Sequence, residues 1–161
     1  MSADTVLSLL AGRVPDHALP RAFYTSAAML DVDLAEVWYK DWLFAIPSCE
    51  IPKTGNFVTL QVGEYPVLIV RGADGQIRAF HNSCRHRGSR VCTAVKGSAP
   101  KLVCPYHQWT YELDGRLLYA RDMGADFKPA DHGLKPVACV DAGGMVFVCL
   151  AETPPAVDGM V

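Results

Sequence analysis

The strongest constraint on this chain of 161 residues is a pair of short motifs, each with one cysteine and one histidine. The first motif is Cys84-Arg85-His86, and the second, after seventeen intervening residues, is Cys104-Pro105-Tyr106-His107, so the pattern reads C-x-H…C-x-x-H. Each motif follows the predicted end of a strand, where a loop tip can be held rigid. The fold must therefore present two loops, each with a thiolate and an imidazole as candidate metal donors.

Two kinds of metal centre use two Cys and two His. A [2Fe–2S] cluster with two Cys on one iron and two His on the other needs this donor set. Zinc also binds Cys₂His₂ sets, but zinc fingers usually pair C-x₂₋₄-C with H-x₃₋₅-H, so that each half is homogeneous. Here each half is mixed. The spacing favours the two-iron cluster over a structural zinc module that mediates protein contacts, and chance occurrence is the third explanation.

From about residue 42 onward, short β-rich segments alternate with Gly, Pro, Asp and Asn. Asp74-Gly75, Asp114-Gly115 and Gly143-Gly144 are typical hairpin turns. This spacing predicts an all-β fold, a small antiparallel sandwich or barrel. The candidate strands are residues 42–46, 56–62, 66–71, 77–82, 102–104, 109–113, 137–141 and 145–150.

The first 41 residues lack the short β-rich segments of the later sequence and are expected to form an N-terminal extension. Residues 1–20 are predicted to be irregular. Residues 26–40 are predicted to form a helix with Ser26 as N-cap. Its apolar side chains recur at helical spacing, at Leu30, Leu34, Val37 and Trp38.

Composition narrows the class of protein further. Hydrophobic residues make up 50% and charged residues 20% of the chain, and the net charge is −2, which is typical of a soluble globular domain and argues against nucleic-acid or membrane-surface binding. No apolar run approaches the ~20 residues that span a bilayer. The six cysteines occur without a secretory signal, so we expect a reducing, cytoplasmic environment and reduced thiols outside the two motifs.

Longer stretches around the motifs resemble a known family. Cys84-Arg85-His86-Arg87-Gly88, the run from Cys104 to Tyr111 (CPYHQWTY) and Asp114-Gly115-Arg116-Leu117 are similar to the Rieske domain of ring-hydroxylating-type oxygenases, in the α subunits of Rieske non-haem iron oxygenases. The resemblance covers residues 23–152. Within the family, His107-Gln108-Trp109 and the run from Met123 to Phe127 resemble the branch that oxidises N-methyl groups of glycine betaine, stachydrine and carnitine.

The resemblance implies a role for each motif residue. It assigns Cys84 and Cys104 to an inner iron, and His86 and His107 to an outer iron near the surface. Many family members have glycine where this chain has Gln108. The same resemblance implies a Rieske domain over residues 42–155, followed by a tail at 156–161 that leads to an absent catalytic domain.

Two further positions bear on the reduction potential. Respiratory Rieske proteins have two additional cysteines that bridge the cluster loops, and the corresponding residues here are Ser89 and Tyr106. No such disulfide can form. We therefore expect a potential near the low end of the Rieske range, roughly −150 mV.

The resemblance also implies partners. In the family, oxygen is activated at a mononuclear Fe(II) held by two His and a carboxylate in a separate domain. After His107 this chain has only His132, so it is not expected to supply that site itself. We expect one-electron transfer from an NAD(P)H-linked reductase or ferredoxin to the mononuclear iron of a trimeric oxygenase. A stand-alone Rieske ferredoxin is the alternative.

Three arginines lie close to the first motif: Arg85, Arg87 and Arg90. They are interpreted either as a cationic rim that docks an acidic electron donor or as solvated side chains that hold loop carbonyls. Trp109 and Tyr111 follow the second motif at strand spacing. They are expected to pack in the core, and shielding of one side of the cluster is the alternative.

Overall fold

The computed structural model describes residues 3–158 and shows ten β-strands with a few short helices. The strands are β1 (Leu43–Pro47), β2 (Asn56–Val62), β3 (Tyr65–Arg71), β4 (Ile77–His81), β5 (Lys96–Ser98), β6 (Leu102–Val103), β7 (Thr110–Tyr111), β8 (Leu117–Tyr119), β9 (Pro136–Ala142) and β10 (Met145–Cys149). The helices are α1 (Ala3–Ala11), α2 (Ala22–Thr25) and α3 (Ala27–Asp33), with a π-helical turn at Leu34–Trp38 and 3₁₀ turns at Ser48–Glu50 and Pro129–His132.

The strands form two sheets. Seven strands pair in the order β1-β10-β9-β4-β3-β2-β5, and three pair in the order β6-β7-β8. Each observed strand pair is antiparallel. The predicted all-β, antiparallel sandwich or barrel is confirmed, in the form of a half-barrel. The small sheet packs on one face of the large sheet, against residues of β3 and β4.

Two hydrophobic cores lie on opposite faces of the central strands. In β3 the side chains of Val67, Leu68, Ile69 and Val70 are all fully buried, because successive residues point to opposite faces and both faces are covered. Leu68 and Val70 pack with the small sheet, in the core that also contains both motif cysteines. Val67 and Ile69 pack against β1, β9 and β10. The cluster loops are thus anchored to one of the two cores.

The three predicted turn dipeptides join neighbouring strands. Asp74-Gly75 lies between β3 and β4, Asp114-Gly115 between β7 and β8, and Gly143-Gly144 between β9 and β10. At Gly115 the φ angle is +88° and a Cβ atom would collide with the ring of Phe80. Glycine is therefore required there both by the backbone and by its close approach to the core.

The N-terminal predictions need two corrections. Residues 1–20 were expected to be irregular, but α1 occupies Ala3–Ala11; residues 1 and 2 lie outside the described residues. The helix predicted over 26–40 is a shorter α3 followed by the π-helical turn, with Ser26 at the N-cap position but without a side-chain capping bond. The expected apolar face is also wrong: Leu30 is 55% exposed, whereas Met29 is 2% exposed.

Two strands were missed by the sequence prediction. Strand β5 is the edge of the large sheet, and its three residues are all exposed, so it lacks the apolar alternation that marks a strand. Strand β8 has three residues and pairs only with β7. In residues 3–158 no helix is long and apolar enough to cross a bilayer.

Candidate metal centre

The two motif loops share one backbone design. In the first, Cys84 donates its N–H to the Ser89 carbonyl at 2.8 Å and accepts the N–H of Gly88 at 2.9 Å. In the second, Cys104 donates to the Trp109 carbonyl at 2.8 Å and accepts the N–H of Gln108 at 3.0 Å. Each loop is therefore a closed turn, in which the cysteine is fixed at its base and the histidine lies in the bend.

The small sheet and the central strands place these loops side by side. The first loop follows β4, and the second connects β6 to β7. Cys84 is 4% and Cys104 1% exposed, and both belong to the same core as Leu68, Trp109 and Tyr111. The structure thus brings the two cysteines together at the inner end of the candidate site.

The hydroxyl of Tyr111 ties the first loop to the small sheet. It accepts the N–H of Arg85 at 3.0 Å and lies 3.2 Å from Cys84 Sγ. Burial raises the pKa of the Cys84 thiol, which the hydrogen bonds from Tyr111 and from the His86 N–H oppose, while the nearby Cys104 thiol raises it further. Burial, followed by the bond to Cys84, raises the pKa of Tyr111 as well, which favours the protonated hydroxyl.

The two histidines lie together at the outer end of the site. The ring centroids of His86 and His107 are 4.7 Å apart, at an interplanar angle of 73°. Nδ1 of His86 is buried and has no hydrogen-bond partner among the described residues. Desolvation, followed by the charges of His107 and Arg87, lowers the pKa of His86. The lowered pKa favours the neutral ring, which is the form of histidine that binds a metal.

Trp109 supports the histidine pair from the core side. Its indole is 2% exposed and stacks on His86, with centroids 4.9 Å apart and planes inclined by 10°. Phe127 and His132 contact the same indole edge-on. The expectation that Trp109 and Tyr111 pack in the core is confirmed, and the structure adds a direct contact from each of them to a motif residue.

Asn82 is a site residue that the sequence analysis missed. It is fully buried, its Oδ1 accepts the N–H groups of Val91 at 3.0 Å and Cys92 at 2.9 Å, and its Nδ2 donates to the Cys92 carbonyl at 2.7 Å. These bonds close the segment that carries Cys84 and His86. A polar residue two positions before a motif cysteine, at the end of a strand, is the sequence signal that could have pointed to it.

The three arginines around the first loop do not form one group. Arg90 donates to Gln61 Oε1 at 2.7 Å, whereas Arg85 and Arg87 are exposed and face grooves beside the loop. The remaining cysteines are free thiols, as expected. Arg90 is thus bonded to a side chain of β2 and not to a loop carbonyl, and the cationic rim stays a prediction for Arg85 and Arg87.

The donor chemistry fits a two-iron cluster. Among residues 3–158, no group of three or more His, Cys, Asp or Glu side chains is placed to share one metal ion. A Rieske cluster takes only two protein donors per iron, with its thiolates and imidazoles on different irons. Two buried cysteines at one end, and two adjacent histidines with an unpartnered buried nitrogen at the other, match that division.

Comparison with protein families agrees with this geometry. The profile described as the Rieske [2Fe-2S] domain matches residues 41–141. The chain belongs to the Rieske [2Fe–2S] domain family.

Its curated relatives are oxygenase subunits. The chain is 56% identical over 151 residues to the glycine betaine monooxygenase oxygenase subunit of Pseudomonas aeruginosa (strain UCBPP-PA14), a match that covers 93% of this chain and 35% of that one. It is 30% identical over 148 residues to the carnitine monooxygenase oxygenase subunit of Acinetobacter baumannii, covering 89% of this chain and 40% of the relative. These matches identify the chain as a Rieske domain of the oxygenase α-subunit type, rather than a stand-alone ferredoxin or a zinc module.

Solved structures give the same result. A quaternary ammonium Rieske monooxygenase in complex with L-carnitine superposes with a TM-score of 0.80 at 30% identity, covering 86% of this chain and 40% of that one. Naphthalene 1,2-dioxygenase from Rhodococcus sp. gives a TM-score of 0.86 at 29% identity, covering 96% and 36%. The chain thus spans about 35–40% of the length of these curated relatives and solved chains.

Proposed function

We propose that this chain relays electrons within a Rieske oxygenase, with Cys84 and Cys104 holding the inner iron and His86 and His107 the outer iron of its [2Fe–2S] cluster. The observation that carries the proposal is the buried Nδ1 of His86, which has no hydrogen-bond partner among the described residues. The centroid of the His86 ring lies 4.7 Å from that of His107, and both motif cysteines are buried. Outside a metal site, a buried ring nitrogen without a partner would cost about 1–3 kcal/mol.

The chain's own residues prepare this site for electron transfer. When bound, the cluster supplies reversible one-electron redox chemistry. The Tyr111 hydroxyl lies 3.2 Å from Cys84 Sγ. A metal-bound thiolate can only accept, so the hydroxyl would donate to it and stabilise the negative charge on that sulfur. Trp109 stacks on His86 and excludes water from its inner face. The histidines remain at the protein surface, where a redox partner can approach.

The partners follow from the oxygenase proposal. An NAD(P)H-linked reductase or ferredoxin supplies one electron at a time, and the acceptor is a mononuclear Fe(II) in the part of a full-length subunit that this chain does not span. The receiving iron is supplied by a neighbouring subunit of a trimer. By similarity to the glycine betaine and carnitine enzymes, the substrate is a quaternary ammonium compound that is oxidised at an N-methyl group.

We also propose the domain limits and the location. Residues 42–155 form the cluster domain, residues 1–41 an extension, and residues 156–161 a tail, of which 159–161 lie outside the described residues. The protein functions in the cytoplasm, where its four non-motif cysteines remain reduced.

The cluster assignment is tested by spectroscopy and metal analysis of the purified chain. We expect a red-brown protein with two irons and two sulfides per chain, and the Rieske EPR signal after reduction. Cys104→Ser should abolish the colour, whereas Cys49→Ser, at an exposed thiol, should retain it. A colourless chain that contains one zinc and no iron would overturn the proposal.

A further inference from the structure

A groove of about 890 Å³ runs along the first loop and is bordered by His86 but not by His107. We call it the Lys135 groove; it is bordered by Tyr39, Tyr65, His81, Cys84, Arg85 and Lys135, and it extends to His86 and Arg87. It is the larger of the two grooves that border His86 among the described residues. A molecule that occupied it would contact the same loop that carries half of the proposed cluster ligands.

The charge of the Lys135 groove is strongly asymmetric. Arg85, Arg87 and Lys135 are exposed, and within residues 3–158 none of them forms an ion pair. The groove has one carboxylate, Glu152. Unpaired cations beside a redox centre attract an acidic surface and accelerate the encounter with it.

The floor of the groove is aromatic. Tyr65 is 42% exposed and packs edge-to-face on Tyr39, with centroids 4.9 Å apart, and its ring also contacts His81 at 5.8 Å. Tyrosine and arginine are the residue types that most often contribute to protein–protein binding. The groove therefore combines electrostatic attraction with rigid apolar contact area.

The second groove has a different character. It has a volume of about 450 Å³ and opens onto both His86 and His107. Arg121, one of its two cations, is paired with Asp122, with Nε and Oδ2 3.2 Å apart. Its net positive charge is therefore smaller, so it offers less attraction to an acidic partner.

We infer that the Lys135 groove is the docking site for an acidic protein that donates one electron, and that the second groove remains free for the acceptor. This inference rests on the proposed electron-transfer function. In each encounter the donor's reduced iron–sulfur or flavin centre is oxidised by one electron, and the chain is reduced by one electron through the His86 side of the site. No bond forms and no proton is transferred. Donor and acceptor can then bind at the same time on different sides of the first loop.

Zero-length cross-linking tests the contact without relying on turnover. The holo chain is mixed at low ionic strength with an oxidised plant-type [2Fe–2S] ferredoxin, chosen as an acidic probe, and with a carbodiimide. The carbodiimide activates a carboxylate of the probe, a lysine amine displaces the activating group as a urea, and an amide remains. We expect mass spectrometry to place most links at Lys135. Links spread evenly over the chain's six lysines, or concentrated at another lysine, would overturn the inference.

A pair of charge-matched variants tests the same site kinetically. Lys135→Glu reverses a charge in the groove. Lys53→Glu makes the same charge change far from the groove. Lys53 lies two residues before Gly55, whose N–H donates to the Arg71 carbonyl. Arg71 ends β3 roughly 20 Å along the strand from Tyr65. We expect Lys135→Glu to lower the second-order rate of reduction by the reduced ferredoxin about tenfold at low salt, and Lys53→Glu to leave it within about twofold. The difference should vanish near 0.5 M salt, where screening is nearly complete.

The outcomes distinguish failure of the electron-transfer function from failure of the docking site. A colourless chain would overturn the electron-transfer function itself. A red-brown chain that the ferredoxin reduces equally fast in both variants would overturn only the docking site. Reduced methyl viologen, a small cation, should reduce both variants without the tenfold loss, and unchanged midpoint potentials should exclude an altered driving force.

Discussion

Gly88 and Gln108 occupy the same position in two loops of the same design. Each is the fourth residue after a motif cysteine, each donates its N–H to that cysteine's carbonyl, and each has a left-handed backbone, with φ of 74° and 59°. Glycine adopts this conformation readily, whereas a side chain makes it unfavourable by about 1–2 kcal/mol. Gln108 therefore differs from Gly88 in its local backbone strain and in placing a side chain beside His107.

Gln108→Gly should stabilise the chain. The substitution removes the left-handed strain but adds the entropy of glycine in the unfolded state, so we expect a net gain of about 1 kcal/mol and a Tm higher by about 2–4 °C. Thermal unfolding measured by circular dichroism checks the change.

Gly88→Ala is the matched control for this prediction. A Cβ atom there would approach only Ser83 Oγ, at 3.8 Å, so no clash is introduced and the substitution isolates the backbone cost. We expect the free energy of unfolding of Gly88→Ala to be lower by about 1 kcal/mol. If Gln108→Gly were instead destabilising, the glutamine side chain would have to form contacts that outweigh the strain.

The sequence was sufficient where the determinants were local. Turn dipeptides such as Asp74-Gly75 and apolar segments such as β3 correctly located strands, and the spacing of the motifs predicted two adjacent loops. The helical face was wrong for a physical reason. The pattern marked Leu30, Val37 and Trp38 as one apolar face, but these residues are 55%, 54% and 50% exposed. Met29 is buried instead, because the packing of the helix against the rest of the protein, which a local pattern does not contain, decides which face is covered.

Long-range hydrogen bonds could not be derived from the sequence. Strand β5 exists because its backbone pairs with β2, from Asn56↔Ser98 to Val58↔Lys96, and no apolar pattern marks it. Likewise, the bonds of Tyr111 to Cys84 and of Asn82 to Val91 join residues 27 and 9 positions apart. Such contacts depend on the packing of whole sheets, so local propensity does not reveal them.

Tyr111→Phe should lower the midpoint potential of the cluster. The hydroxyl lies 3.2 Å from Cys84 Sγ, and a hydrogen bond to a sulfur strengthens when the bound cluster gains an electron. If the bond strengthens by about 1 kcal/mol on reduction, its loss lowers a one-electron potential by about 40 mV. Redox titration followed by visible absorption measures the shift.

Tyr119→Phe is a suitable control for Tyr111→Phe, because Tyr119 is 53% exposed and lies on β8. The midpoint potential of Tyr119→Phe should match that of the unmodified chain. Equal potentials for Tyr111→Phe and Tyr119→Phe would show that the Tyr111 hydroxyl does not interact with the bound cluster.

Asn82→Ala should destabilise the chain strongly. The substitution removes the buried side-chain partner of three backbone groups, which are the N–H groups of Val91 and Cys92 and the carbonyl of Cys92. We expect the free energy of unfolding to fall by about 3 kcal/mol or more. Asn82→Asp retains the two accepted bonds but loses the donated one, so its cost should be intermediate. Chemical denaturation of the holo chain gives both values.

Asn56→Ala provides the comparison for Asn82. The Asn56 side chain accepts one N–H, from Lys53 at 2.9 Å, and is only partly buried. Its loss should cost about 1 kcal/mol or less. Similar costs at the two positions would contradict the special role assigned to Asn82 in holding the first loop.

Alkaline pH should weaken the fold through partly buried thiols. Burial, followed by the charge of Asp141, raises the pKa of Cys139 to about 11, from an ordinary value of 9.0. Well below pH 9 the thiol is protonated in both states, and its contribution to stability is fully present. As pH rises from 9 to 11 the unfolded chain loses the proton first, so stability falls, by about 1–2 kcal/mol for this thiol.

Cys139→Ala should flatten this alkaline decline, whereas Cys49→Ala, at an exposed thiol, should leave it unchanged. Denaturation midpoints measured at intervals from pH 8 to 11 give the two slopes. Parallel slopes for the Cys139→Ala variant and the unmodified chain would show that the Cys139 pKa is not raised by burial.

His107→Cys tests the assignment of the outer iron. Replacing a neutral imidazole by an anionic thiolate on that iron disfavours the added electron, so part of the cluster should be retained at a potential lower by about 100 mV or more. The unmodified chain should lie near −150 mV, and a value above about 0 mV would contradict the expected low-potential type. Tyr106→Phe keeps the aromatic ring that contacts His107, at 3.8 Å between centroids, and should leave the potential unchanged. An intact cluster with an unaltered potential in His107→Cys would mean that His107 is not a ligand, and that the exposed end of the site must be reassigned.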